Sequence, residues 1–278
     1  MRSLTLALTR LAMAWLLSAS VYATNASTLM EIARETSDPT AELWYFSTEF
    51  ALAFDSRASF RQSNQLTWEL QPSLPIPLTK NWRLLNFPDL VLASQGTSEG
   101  LQLTGIETFD WLAAFSPTPS RSGLAWGLGP YVSLPASTSA QFGPSQWQTG
   151  LGGVIAWRTP QTVASVQIHS GWTTDRSSPI AQSVQIETNA QYIFNNGMQV
   201  GLGHPRIEYT RNRDGSGQWD VPVGANIART FHVGKMPIKI MIEFDFYVMN
   251  DSHWQPEHLF RLTILPVLPS PFKGPIFE

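Results

Sequence analysis

The sequence predicts an all-β chain: an antiparallel up-and-down transmembrane β-barrel of about twelve strands, after an N-terminal signal peptide. Three observations carry that reading. Apolar and polar residues alternate along most of the chain, charge is scarce although mean hydropathy lies near zero, and short and long connections alternate. The stretch 183–194 shows the first most plainly. Its even positions hold Val184, Ile186, Thr188, Ala190, Tyr192 and Phe194, and its odd positions hold Ser183, Gln185, Glu187, Asn189 and Gln191. Strand side chains alternate between faces, so one face is apolar and the other wet. Asn195-Asn196-Gly197 then supplies the positive-φ residues of a tight hairpin.

Charged residues make up 14% of the 278 residues, against roughly 25% in soluble domains. Mean hydropathy is nevertheless only −0.09. After the first two dozen residues no apolar run approaches the roughly 18 residues of a membrane helix. A barrel with lipid outside and water inside satisfies both facts. The net charge of −3 and the lack of a basic tract argue against nucleic acid as a partner. With no cysteine, disulfides, thiolate metal sites, a cysteine nucleophile and a lipidated N-terminal cysteine are excluded.

Taken in order, residues 1–23 read as the signal peptide. Arg2 and Arg10 give its positive end, 11–17 its apolar core, and Val21-Tyr22-Ala23 its cleavage site. Residues 24–41 form an N-terminal segment in which Leu29, Ile32 and Ala33 have helical spacing. Thr28 and Glu31 suit a capping pair and Pro39 ends the run. A periplasmic or plug helix and a disordered leader both remain open there. The barrel is expected over 42–268 and a C-terminal tail over 269–278.

Twelve strands are expected at 44–54, 65–76, 82–94, 104–115, 124–134, 147–158, 162–172, 183–194, 198–209, 218–229, 238–249 and 258–265. The prolines at 72, 75 and 77 weaken the end of the second. In 238–249, Ile238, Ile240, Ile242, Phe244, Phe246 and Val248 oppose Lys239, Met241, Glu243, Asp245 and Tyr247. Connections near 77–81, 159–161, 195–197 and 232–237 are short, and those between them are longer and polar. Outer-membrane barrels pair tight periplasmic turns with longer outer loops. Tryptophans near strand ends, Trp44, Trp82, Trp126, Trp147, Trp157, Trp172 and Trp219, suit aromatic girdles. Ten residues separate Trp147 from Trp157, about 25 Å along a tilted strand. Trp68 and Trp111 fall mid-strand and add nothing to this pattern.

Several motifs also resemble one family. They are Gly127-Leu128-Gly129-Pro130 with Leu134-Pro135, Trp219-Asp220-Val221-Pro222-Val223-Gly224, and Val233-Gly234-Lys235-Met236-Pro237. Together they are similar to the outer-membrane barrels labelled neuromedin-U-like or MetA-pathway of phenol degradation. Phe260-Arg261-Leu262-Thr263-Ile264-Leu265 fits that family's last strand, and the likeness runs over roughly 64–268. It implies an outer-membrane location and movement of a small molecule, and it brings no catalytic residues. This chain departs in a longer loop around 253–257 and in a tail beyond the last strand, where only Phe277 offers the terminal aromatic that insertion machinery reads.

The residues expected to line the lumen are Glu49, Glu69, Glu107, Asp110, Gln185, Glu187, Asn189, Asp220, Lys239, Glu243, Asp245 and Arg261. Their acidic excess favours cations or neutral polar solutes. The competing reading pairs Glu243 and Asp245 with Lys239 and Arg261 in a closed interior. Gly96-Thr97-Ser98-Glu99-Gly100 matches a serine-hydrolase elbow but lacks the strand–turn–helix setting. His169 has inward parity, and a hydrolase would need a serine and an orienting group beside it. Asp214-Gly215 reads as a turn before a calcium loop.

The resulting expectation is a passive channel or transporter for small solutes in the bacterial outer membrane. It needs no metal, cofactor or catalytic set. Its partners would be outer-membrane lipid, barrel-insertion machinery and small polar, cationic or aromatic solutes. The alternatives are a closed structural or interaction barrel, a secreted soluble β-sandwich with its faces reversed, and a membrane-embedded lipid hydrolase.

Overall fold

Alternating sequences form strands, and each strand must find a backbone partner on both sides if it is to sit in hydrocarbon. The computed structural model meets that demand by closing on itself. It describes residues 29–54, 65–96, 102–118, 123–139, 142, 146–176, 178–251 and 257–277. The signal-peptide region and residues 97–100 of the elbow-like motif lie outside the described residues.

A short helix, α1 (Leu29–Glu35), precedes β1 (Trp44–Phe54), β2 (Gln65–Ser73), β3 (Ile76–Pro77), β4 (Trp82–Gly96) and β5 (Gln102–Pro117). There follow β6 (Gly123–Leu134), β7 (Gln148–Arg158), β8 (Thr162–Thr173), β9 (Ile180–Ile193) and β10 (Met198–Gly201). The chain continues through β11 (Arg206–Asn212), β12 (Gly217–Val233), β13 (Met236–Asn250) and β14 (His258–Leu268). All strand pairings are antiparallel and follow the chain round the barrel, and β1 pairs with β14 from Trp44↔Leu268 to Phe54↔His258. The segments β2 and β3 make one interrupted strand, as do β10 and β11, so the barrel has twelve strands among the described residues.

The apolar face points outward. On β13, Ile242, Phe244 and Phe246 are 45–46% exposed, whereas Lys239, Glu243 and Asp245 are 3%, 1% and 0% exposed. A water-soluble sandwich would reverse those values, so that alternative is removed. Trp68, mid-strand on this outer face, stacks on Phe50 with centroids 6.0 Å apart and donates its indole N–H to Thr48 Oγ1 at 2.6 Å. Its one polar group is therefore satisfied within the apolar band.

Two expected strands are interrupted, each beside a proline. The stretch 65–76 breaks at Leu74-Pro75, and 198–209 breaks at Leu202-Gly203-His204-Pro205, where Gly203 has φ of +85°. The first break leaves a gap in the β4 pairing between Leu70↔Leu90 and Ile76↔Leu84. Pro88, with no N–H to offer, falls in that gap. Asn86 spans it, donating from Nδ2 to the Leu74 carbonyl at 3.1 Å. Strand β12 runs to Val233, further than the expected 229, which shortens the β12–β13 turn to Gly234-Lys235.

The C-terminal tail is tied to the barrel's turn end. The Ile276 and Phe277 amides donate to the Pro77 and Leu78 carbonyls at 2.9 and 2.8 Å. The tail thus supplies a partner to the short strand β3 where β1 has already ended. On the way Phe272 packs against Trp44 with centroids 6.0 Å apart.

A cation placed on the outward face should be expelled by lipid. Ile242→Arg is expected to cost about 2–4 kcal/mol of stability in a bilayer. Met241→Gln, one residue along on the inner face, should cost markedly less. Denaturant unfolding of protein refolded into vesicles reads both.

Candidate functional site

The inner face of the barrel is where polar chemistry collects. It is not uniformly wet. On β4 to β7, Leu85, Phe87, Leu112, Ala114, Tyr131 and Val154 form an inward apolar cluster. This fills one side of the barrel and confines the polar groups to the rest.

Two cavities lie along the axis. One of about 350 Å³ occupies the loop end, with Glu107, Asp110, Gln146, His169, Gln185 and Glu208 in its wall. A second of about 120 Å³ lies toward the turn end, against Ser37, Tyr45, Ser165, Asn189 and Lys239. Glu49, Glu69, Arg206 and Arg261 border both. These four, with their partners, form the waist.

Arg206 crosses the lumen. It rises from β11, its Nη2 lies 2.8 Å from Glu69 on β2 and 3.7 Å from Asp89 on β4, and its Nε lies 3.2 Å from Glu187 on β9. In the ring of twelve, β4 stands six strands from β11, directly opposite. Gln185 Nε2 adds a hydrogen bond to Glu187 at 2.8 Å. Arg261 on β14 pairs with Glu243 and Asp245 on β13 and lies 3.8 Å from Glu49 on β1. The interruption at 202–205 joins this cluster, since the His204 amide donates to Glu243 Oε2 at 2.9 Å and the Arg261 guanidinium donates to the His204 carbonyl at 3.2 Å. Charges withdrawn from bulk water need close partners, and each guanidinium here is met by carboxylates at short range.

Below the waist, residues 29–41 fill the turn end. Five strands hold them. Arg83 on β4 donates to the Thr40 carbonyl, and Arg158 on β7 pairs with Asp38 at 2.6 Å. Asn189 on β9 donates to the Ser37 carbonyl at 2.7 Å, Gln199 on β10 to the Ala33 carbonyl at 2.6 Å, and Lys239 on β13 to Ser37 Oγ at 2.8 Å. Asp38 also accepts the Thr40 amide at 2.8 Å and hydroxyl at 2.6 Å, which closes a local turn. Ala33 packs on Val163 and Ile193, an inward apolar patch that serves the helix.

Of the residues singled out from sequence, the waist gathers Glu49, Glu69, Glu187, Glu243, Asp245 and Arg261. Glu107, Asp110 and Gln185 border the outer cavity, and Asn189 and Lys239 hold the N-terminal segment. Lys239 therefore does not pair with the acids as the closed-interior reading proposed. Asp220 is buried opposite Glu208 on the β11–β12 ladder, away from both ties. Trp82, Trp126 and Trp157 project outward near the turn end, and Trp147, Trp172 and Trp219 near the loop end. Trp44 is half-buried under the tail and donates to the Pro75 carbonyl at 2.8 Å.

His169 stacks on Tyr131 at 4.2 Å inside the barrel, away from the lipid edge. The 212–217 connection is a turn in which Asp214 accepts the Ser216 hydroxyl at 2.6 Å and its amide at 2.8 Å, bonds that hold its carboxyl below the usual range. No group of His, Asp and Glu among the described residues is arranged to hold a metal ion.

Sequence reasoning missed Arg206, Asp89, Arg83, Arg158 and Gln199. For an unbroken strand 198–209, Arg206 shares parity with Met198 and Val200 and would face lipid. The interruption at 202–205 resets that parity.

This geometry has a counterpart of known structure. A COG4313 outer membrane channel from Pseudomonas putida F1 is similar over 82% of this chain and 95% of its own, with TM-score 0.60 and 14% identity. The fold is shared with an outer-membrane channel. Weaker likenesses reach the NanC porin, with TM-score 0.47 and 8% identity over 81% of this chain and 99% of that one. They also reach the KdgM porin in complex with disordered oligogalacturonate, with TM-score 0.42 and 7% identity over 80% and 98%. No protein-family model and no curated protein matches the sequence.

Removing the cation of the waist should strand its acids. Arg206→Met is expected to cost about 3–5 kcal/mol, the penalty for uncompensated buried charge. Arg211→Met, on an exposed position of the same strand, should stay within about 0.5 kcal/mol. Heat-modifiable migration in detergent, followed against temperature, compares the two.

Proposed function

We propose that this protein is a passive channel for small solutes across the bacterial outer membrane, with a preference for cations, and that residues 29–41 close its periplasmic end at rest. The observation that carries this reading is the pair of cavities that share Glu49, Glu69, Arg206 and Arg261 as a common border. Exchange of the Arg206 and Arg261 partners would join the chambers without unfolding a strand.

Charge supports the preference. The two cavity walls contain Glu49, Glu69, Glu107, Asp110, Glu187 and Glu208 against Arg206, Arg261 and Lys239. A wall with that excess raises the local concentration of cations. The closed outward apolar surface supports a bilayer location, with outer-membrane lipid and the insertion machinery as partners. The likeness of 219–224 and 233–237 to neuromedin-U-like barrels supports membership of that family. A hydrolytic role is less favoured, because His169 lies against Tyr131 within the lumen, away from the lipid edge where such a nucleophile must work.

Planar-bilayer recording of the purified full chain tests the channel. Under a potassium chloride gradient the reversal potential should have the sign of cation selectivity. Asp38→Asn, which removes the Arg158 partner, should raise the time spent open. Lack of conductance in both proteins would leave the closed structural barrel as the better reading.

A further inference from the structure

The outer cavity has features that bulk permeation does not require. Strand β5 carries a bulge: Val91 pairs with Thr108 and Leu92 with Ile106, leaving Glu107 as the extra residue. Bulges re-aim side chains. Glu107 and Asp110, three residues apart, consequently both border the cavity. Each keeps a carboxylate oxygen without a hydrogen-bond partner among the described residues, and neither is taken up by the two arginine ties.

The same bulge frees the Ile106 carbonyl, which accepts the Thr138 amide at 3.0 Å. That bond fixes Thr138 beside β5, and further on Phe142 and Gln146 enter the cavity lining. Gln146 is 6% exposed, yet neither its carbonyl oxygen nor its amide nitrogen has a partner among the described residues. An amide buried without partners is costly unless something else meets it. On the neighbouring strands Tyr131 of β6 and His169 of β8 present a stacked aromatic wall.

We infer that this cavity is a selective site for one small organic cation: a protonated amine on an aromatic body, bearing or accompanied by a group that hydrogen-bonds Gln146. Glu107 and Asp110 meet the ammonium, Phe142 and Tyr131 the ring. A volume near 350 Å³ lies at the small end of ligand pockets and suits a single-ring solute. The inference deepens the channel reading by naming the class of solute, but its test does not need conduction.

Isothermal titration of the full chain in detergent, with benzylamine, benzyl alcohol and benzoate as probes, decides it. Benzylamine should bind saturably with one site per chain, and the alcohol and acid should bind at least about tenfold more weakly. Glu107→Gln with Asp110→Asn should weaken benzylamine about tenfold or more, and Gln146→Ala should weaken it less. Heat-modifiable migration would show that these variants fold. Equal binding of amine and alcohol, displacement of benzylamine by equimolar sodium, or unchanged affinity in the folded double variant would each overturn the site. Such a failure would leave conductance, and hence the channel, untouched.

Discussion

The pairing of β1 with β14 is the constraint on which the rest of the molecule depends. In hydrocarbon an unpaired backbone amide or carbonyl has no water to turn to, and each one left open costs several kcal/mol. Closure removes every edge in the apolar band at once. It also divides the alternating sequence into two environments, and the side chains follow from that division. Isoleucine and phenylalanine meet lipid, while carboxylates, amides and guanidinium groups are turned toward the axis.

Turning them inward creates a second problem, which the waist addresses. Eight acidic or basic side chains cannot share so narrow a space unless they neutralise one another. Arg206 answers by reaching across the full width of the barrel to Glu69 and Asp89, and Arg261 by serving Glu243 and Asp245 beside it. The N-terminal segment handles the remaining cations of the turn end, since Arg83, Arg158 and Lys239 all find partners within residues 37–42. The same interactions that satisfy buried charge therefore also hold the N-terminal segment inside the turn end.

Much of this was legible in the chain itself, and the exceptions have physical causes. Strand β13 could be read residue by residue because its outward positions are aliphatic or aromatic and its inward ones are mostly polar. Strand β4 could not, because Leu85 and Phe87 point inward to an apolar cluster and Val91 is buried on the same face, while Leu84, Leu90 and Leu92 lie on the other. With both faces apolar, Asp89 carries no parity signal. Arg206 was hidden by the interruption at Gly203 and Pro205. Glu107 and Asp110 would be separated by strict alternation, and only the bulge reconciles them. The anchoring of Ser37 and Asp38 depends on residues more than a hundred positions distant, which no local pattern discloses.

The tail offers a further lesson about protection from neighbours. Below the last β1–β2 pair, β3 would present bare carbonyls at the rim, an invitation for a strand from a second molecule to add itself. Ile276 and Phe277 occupy that position from within the same chain. Crowded barrels are thereby denied those carbonyls as a seam along which to zip together.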